Sequence, residues 1–237
     1  MVFLGGAPTV WDVFDPIARR ITSDFEAIQV ALPGYGPSPA PEGPYDLDAA
    51  HAAVERTLVD AGISSCALVG FSGGAYRALA IAARGRVRAT HVYALAGFSR
   101  YPPEAAGALV ATAARIREGL DLAALAPELF LSPRFASLQD KVDAVREWAT
   151  AAPPALLAAE LEAFAAAPDL GEALREAAFP VVARVGSADR SAPPALSESI
   201  VRACARASLE IVEDAGHALP IEDPEGTAAS IRRMLAA

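Results

Sequence analysis

Short apolar runs alternate with longer stretches of helical period over the first hundred residues, a pattern that predicts strands joined by crossover helices in a parallel sheet. Residues 2–4 read as a short strand, 9–21 as a helix with Val10, Phe14, Ile17 and Ile21 on one face, and 27–32 as a second strand. Pro33-Gly34-Tyr35-Gly36-Pro37-Ser38-Pro39 then breaks all regular structure. A helix over 48–61 is closed by Gly62, followed by a strand at 65–69, a helix at 74–83 and a strand at 87–95. From about residue 98 to 179 the alternation stops, and alanine-rich sequence cut by Pro102-Pro103, Pro127, Pro133, Pro153-Pro154 and Pro168 predicts several short helices. Strand character returns at 180–186 and 208–212, with helices at 194–206 and 223–235. The expected organisation is a sheet core over 1–97 and 180–237 and a helical insertion over 98–179 that packs on it as a lid. A segment joining the carboxyl ends of strands stands above the edge where open parallel sheets bind ligands.

Composition narrows the setting. The 237 residues suffice for one large core. Hydrophobic residues make up 53%, yet no uninterrupted apolar run approaches the roughly 20 residues of a membrane span, so a soluble protein is expected. The opening Met-Val-Phe-Leu-Gly-Gly carries no basic segment and no cleavage site, which points to a cytoplasmic location. Cys66, in a predicted strand, and Cys204, in a predicted helix, are expected as free thiols. A net charge of -9 without a cluster of Lys and Arg argues against a nucleic acid partner.

One turn carries the chemistry. Ser72 lies in Gly70-Phe71-Ser72-Gly73-Gly74, after the strand 65–69 and before the helix 74–83. A serine between glycines at a strand-to-helix turn takes a strained backbone conformation that lifts its oxygen clear of the sheet. The Gly73 amide then points at the place where a carbonyl oxygen under attack gains charge. A hydroxyl at neutral pH needs a base, and histidine suits that task. Of the three histidines, His51 is expected on a helix as a partly exposed residue and His91 in a strand as a satisfied core residue. His217, in Glu213-Asp214-Ala215-Gly216-His217-Ala218-Leu219-Pro220, follows the last strand on an irregular loop, where catalytic side chains are mounted. Asp189, in Gly186-Ser187-Ala188-Asp189, is the candidate carboxylate to hold its tautomer; Asp214 is the rival but is tied to the histidine's own loop. The order Ser72, Asp189, His217 is that of alpha/beta-hydrolase triads. A second oxyanion donor is expected from Gly5-Gly6-Ala7-Pro8, and because Pro8 has no amide hydrogen it falls to Ala7 or Gly6, with Ala7 taken as the candidate. The spaced glycines of a dinucleotide site and a phosphate-loop lysine are both missing.

These residues resemble the alpha/beta-hydrolase fold family over nearly the whole chain. The matching segments are Leu4-Gly5-Gly6-Ala7-Pro8, Leu32-Pro33-Gly34-Tyr35-Gly36-Pro37-Ser38, the turn at Ser72, residues 186–189, and Gly216-His217. Within the family, Leu129-Phe130-Leu131-Ser132-Pro133-Arg134-Phe135, Trp148 and Ala167-Pro168-Asp169-Leu170 are most similar to the 3-oxoadipate enol-lactonase and small carboxylesterase group. The resemblance implies an α/β fold with a mostly parallel sheet of about six strands, since the two further strands with which family members usually begin do not precede strand 2–4 here. Strand 27–32 then becomes an exposed edge that invites pairing with a second copy, as a homodimer, or cover by a loop. Gly5 stands where the family usually has His.

The activity implied is that of a serine hydrolase acting on a small ester or lactone through an acyl-enzyme, without metal or organic cofactor. Carbon–carbon bond hydrolysis and perhydrolysis use the same triad. A non-catalytic ligand receptor on this fold is the reading from a different class. Phe98, Phe130, Phe135, Trp148 and Phe164 are the candidate pocket walls. Arg100, Arg134 and Arg190 are the candidate cations for a substrate carboxylate.

Overall fold

The computed structural model describes residues 1–8, 11–41 and 43–236. Six strands form one open, all-parallel sheet: β1 (Val2–Leu4), β2 (Ile28–Val30), β3 (Ser65–Phe71), β4 (Arg88–Leu95), β5 (Val181–Gly186) and β6 (Ala207–Val212), in the order β2-β1-β3-β4-β5-β6. Side chains alternate between the two faces, as the two-residue period of a strand demands. Val2, Leu4, Leu68, Val92 and Ala94 join one core with the helices α2 (Leu47–Asp60), α3 (Gly73–Arg84) and α9 (Pro194–Ala203). Phe3, Val69, Phe71, Tyr93 and Leu95 join the other, with α1 (Asp15–Ile21) and α11 (Pro224–Ala236).

From β1 the chain steps outward to β2 and then returns past β1 to β3. The strand order therefore reverses between β1 and β3. Loops leaving the carboxyl ends of two such strands diverge to opposite sides and open a crevice, the place where open α/β sheets bind ligands. The loop after β1 is Gly5-Gly6-Ala7-Pro8, and the turn after β3 carries Ser72.

Between β4 and β5 lie five helices and no strand: α4 (Pro103–Arg117), α5 (Leu122–Phe130), α6 (Gln139–Ala149), α7 (Pro154–Ala165) and α8 (Gly171–Arg175). Pro102 and Pro153 stand at the starts of α4 and α7, where a missing amide hydrogen costs nothing. Asp121 caps α5 by accepting the Ala124 amide at 3.0 Å. Helix α4 packs on α7, and α5 on α6. The short α10 (Leu219–Glu222) follows the loop after β6.

The predicted helix over 9–21 is shorter: its first two residues lie outside the described residues, a 3-10 turn spans Trp11–Phe14, and α1 begins at Asp15. Strand β3 runs two residues past its predicted end, up to Ser72 itself, and Cys204 closes α9 rather than lying inside it. Both cysteines are buried free thiols. Strand β2 is an edge of the described sheet. Among the described residues no helix is long and apolar enough to cross a membrane.

His51 corrects an expectation. It is 2% exposed rather than a surface residue, because α2 turns Ala50, His51, Val54 and Leu58 inward, with the His51 ring 6.2 Å from that of Tyr76. His91 is half-buried, and its Nδ1 has no hydrogen-bond partner, so it is not the satisfied core residue expected.

Candidate active site

Ser72 has φ 55° and ψ -123°, a conformation non-glycine residues avoid and one that costs about 1–3 kcal/mol. Its neighbours hold it there. The Ser72 amide donates to the Leu95 carbonyl on β4 at 2.8 Å, and the Ser72 carbonyl accepts the Ala75 amide at 2.9 Å, which closes the first turn of α3. Gly6 is required by proximity: a Cβ there would come within 2.6 Å of the Phe71 carbonyl oxygen and 2.8 Å of the Gly73 nitrogen. The loop after β1 thus lies directly on the Ser72 turn, and Ala7 and Gly73 line one cavity with Ser72. At Gly73 a Cβ would come within 2.5 Å of the Phe164 ring, so that aromatic from α7 roofs the turn.

His217 is buried on the loop after β6, with its Nδ1 2.8 Å from Asp189 Oδ2. Asp189, also buried, stands on the loop after β5, and its Oδ1 accepts the amides of Ser191 at 2.9 Å and Ala192 at 2.8 Å. With both oxygens engaged, the carboxylate has one orientation. A carboxylate facing Nδ1 places the ring proton there and leaves Nε2 as an acceptor. The imidazole lies between Phe71, ring centroids 5.1 Å apart, and Phe130, 5.7 Å.

Glu222, on α10, steadies this loop. Its carboxylate accepts the Gly216 amide through Oε2 and the Ser132 amide through Oε1, the latter at 2.8 Å, while the Ala218 amide donates to the Phe130 carbonyl at 2.9 Å. Burial pushes the Glu222 carboxyl above the ordinary glutamate range, against the pull of those two amides. The histidine loop and the end of α5 are therefore tied through one buried side chain.

The cavity that Ser72 and His217 share measures about 170 Å³. Phe98, Tyr101, Leu109, Ile116, Leu157 and Leu161 make up much of its apolar wall, with Phe130 and Phe164. Several of the sequence candidates stand elsewhere. Trp148 packs edge-on against Phe71, ring centroids 6.0 Å apart, behind the cavity. Arg100 is exposed and faces Asp169 at 3.4 Å. Arg134 lies over the ring of Phe135, and Asp214 is exposed on the far part of its loop. The sequence singled out neither Glu222 nor the aliphatic wall. The wall residues recur at helical spacing on α4 and α7, the only trace they leave in the sequence. A larger open groove of about 1080 Å³, with His91 and Arg206 on its walls, lies at the opposite, amino end of β4–β6. Among the described residues no group of three or more His, Cys, Asp or Glu could hold a metal ion.

An open parallel sheet with a strained serine on the strand-to-helix turn at its topological switch point is the architecture of alpha/beta hydrolases. The chain belongs to the alpha/beta hydrolase family, whose model matches residues 1–230, and it is a hydrolase of that family. A search of curated proteins returns no match to the sequence.

Solved structures share the fold. A thermophilic esterase from Thermogutta terrifontis is 24% identical with a TM-score of 0.89, the match covering 99% of this chain and 88% of that one. The enol-lactonase from Burkholderia xenovorans LB400 is 22% identical with a TM-score of 0.90, over 100% and 90%. MenH from S. aureus is 19% identical with a TM-score of 0.86, over 99% and 92%.

Proposed function

We propose that the protein is a serine hydrolase that cleaves a small, neutral ester or lactone through an acyl-enzyme on Ser72. The observation that carries this reading is the 2.8 Å contact of His217 with Asp189, on a histidine that faces the same cavity as the strained Ser72. His217 Nε2 takes the Ser72 hydroxyl proton as Oγ attacks the substrate carbonyl, and the Gly73 and Ala7 amides donate to the oxyanion that forms. Collapse of the tetrahedral intermediate breaks the ester bond, and His217 returns the proton to the departing alkoxide. Water, deprotonated by the same nitrogen, then releases the acid and restores Ser72.

The cavity argues for the substrate. At about 170 Å³ it is smaller than the roughly 300–1,000 Å³ of pockets that take drug-sized ligands, which favours a small substrate. Its wall among the described residues carries no Lys or Arg, whereas a free carboxylate would call for a cation there. Helices α4–α8 act as the lid in this reading.

Hydrolysis of p-nitrophenyl esters of increasing acyl length, with wild type and Ser72→Ala, tests it. The expected result is a preference for short acyl groups and a loss of at least about a thousandfold in the variant. Activity that survives Ser72→Ala would refute the acyl-enzyme.

A further inference from the structure

The most deeply buried charges among the described residues lie behind the candidate site and take no part in the proposed reaction. Arg77, one turn beyond Ser72 on α3, and Glu160, on α7, are each 0% exposed and form an ion pair. Arg77 Nη2 also donates to the Tyr45 hydroxyl at 2.7 Å; Tyr45 in turn faces Glu160 Oε1 at 3.4 Å, and the Tyr35 hydroxyl donates to Oε2. One guanidinium thus gathers the nucleophile's helix, the segment after β2 and the roofing helix.

The rest of the guanidinium faces an aromatic ring. Arg77 Nε and Nη1 have no hydrogen-bond partner, and the guanidinium carbon lies 5.0 Å from the centroid of Phe164. A cation within about 6 Å of a ring face is attracted by its quadrupole. Phe164 is one helical turn beyond Glu160, on the same face of α7, and it is the ring that covers Gly73 and lines the cavity with Leu157 and Leu161.

We infer that Arg77 is a positioning residue that sets acyl-chain selectivity: by pinning Glu160 and Phe164 it fixes α7 over Gly73 and keeps the cavity short. Apolar residues of like volume hold two helices together as well as a buried ion pair does, but they tolerate sliding. A pair with three directional partners, Tyr35, Tyr45 and the Phe164 ring, permits one placement. The selectivity half of the inference rests on the hydrolase reading above; the pinning half does not.

The test compares wild type, R77M, E160Q and the double variant R77M/E160M, which leaves no lone buried charge and covers the case where R77M fails to fold. Two quantities are read: kcat/KM for p-nitrophenyl octanoate relative to butyrate, and amide hydrogen exchange of α7 relative to β3. In the double variant the octanoate-to-butyrate ratio rises by about tenfold or more, and exchange quickens in α7 but not in β3. General destabilisation would speed exchange in both elements and leave the ratio alone. A ratio within about twofold of wild type in a folded, active double variant overturns the inference. If wild type cleaves no ester, the hydrolase reading fails, and exchange then judges the pinning: α7 protection unchanged in E160Q and the double variant overturns it.

Discussion

Replacing Asp189 with Asn keeps the shape of the side chain and changes what one of its two ends can do. Oδ1 accepts the Ser191 and Ala192 amides, and the carbonyl oxygen of Asn continues to accept both. The other end, 2.8 Å from His217 Nδ1, becomes an NH₂ group that can only donate. His217 must then accept at Nδ1 and carry its proton on Nε2, where no lone pair remains for the Ser72 hydroxyl. Such a tautomer inversion in a serine triad costs about 10⁴ in kcat, or about 5.5 kcal/mol at about 1.4 kcal/mol per factor of ten. Asp189→Ala serves as the contrast, because it strands the two amides at about 1–3 kcal/mol each and so lowers folding stability as well. The assay is kcat with p-nitrophenyl butyrate, paired with thermal melting of both variants. Asn should lose the rate and keep the fold, and Ala should lose both. A D189N enzyme that retains more than about a tenth of the wild-type rate would refute the argument.

Two further predictions concern buried titratable groups. His51 has no hydrogen-bond partner on either nitrogen, and burial first, then Arg77 and Arg84, pull its pKa down to about 3. A depressed folded pKa means stability is present above the unfolded value near 6.5 and is lost as pH falls towards 3, by up to about 5 kcal/mol. In urea titrations between pH 7 and 4, H51L should flatten this decline; an unchanged slope would show that His51 does not cause it. Glu222 has the opposite sign. Its raised pKa contributes stability that is present below the unfolded value and is lost as pH rises through the folded one, so the stability gap between wild type and E222Q should narrow as pH rises from about 4 towards 7. A gap that widens over that range would refute this.

The reacting groups of the proposed mechanism were legible in the sequence because each is announced by its immediate neighbours. Gly70, Gly73 and Gly74 around Ser72 leave room for its positive φ, Asp189 follows the largely apolar β5, and His217 follows β6, in which polar and apolar residues alternate from Ser208 to Ile211. That the sheet is parallel was legible too, since short apolar runs separated by helices imply crossover connections, but those runs do not encode the order of its strands. His51 misled because four alanines around it suggest a featureless exposed helix, while the side that α2 buries is decided by its packing on α3. Trp148 misled for a related reason. An aromatic in the helical insertion has two surfaces to fill, the cavity and the support behind it, and sequence spacing does not separate them.

What stayed illegible has one property in common: its partners are distant in the chain. Glu160 meets Arg77 across 83 residues and Tyr35 across 125, and Glu222 meets Ser132 across 90. No periodicity encodes such a pairing, and in isolation each of these charged residues reads as solvated surface. Local motifs therefore supply the groups of the proposed reaction, while long-range contacts place the helices that face them. If substrate choice depends on the placement of α7, as we infer, two chains with the same serine turn and histidine loop can differ in specificity through a residue such as Arg77, which touches neither substrate nor triad. The octanoate-to-butyrate ratio of R77M/E160M measures this directly.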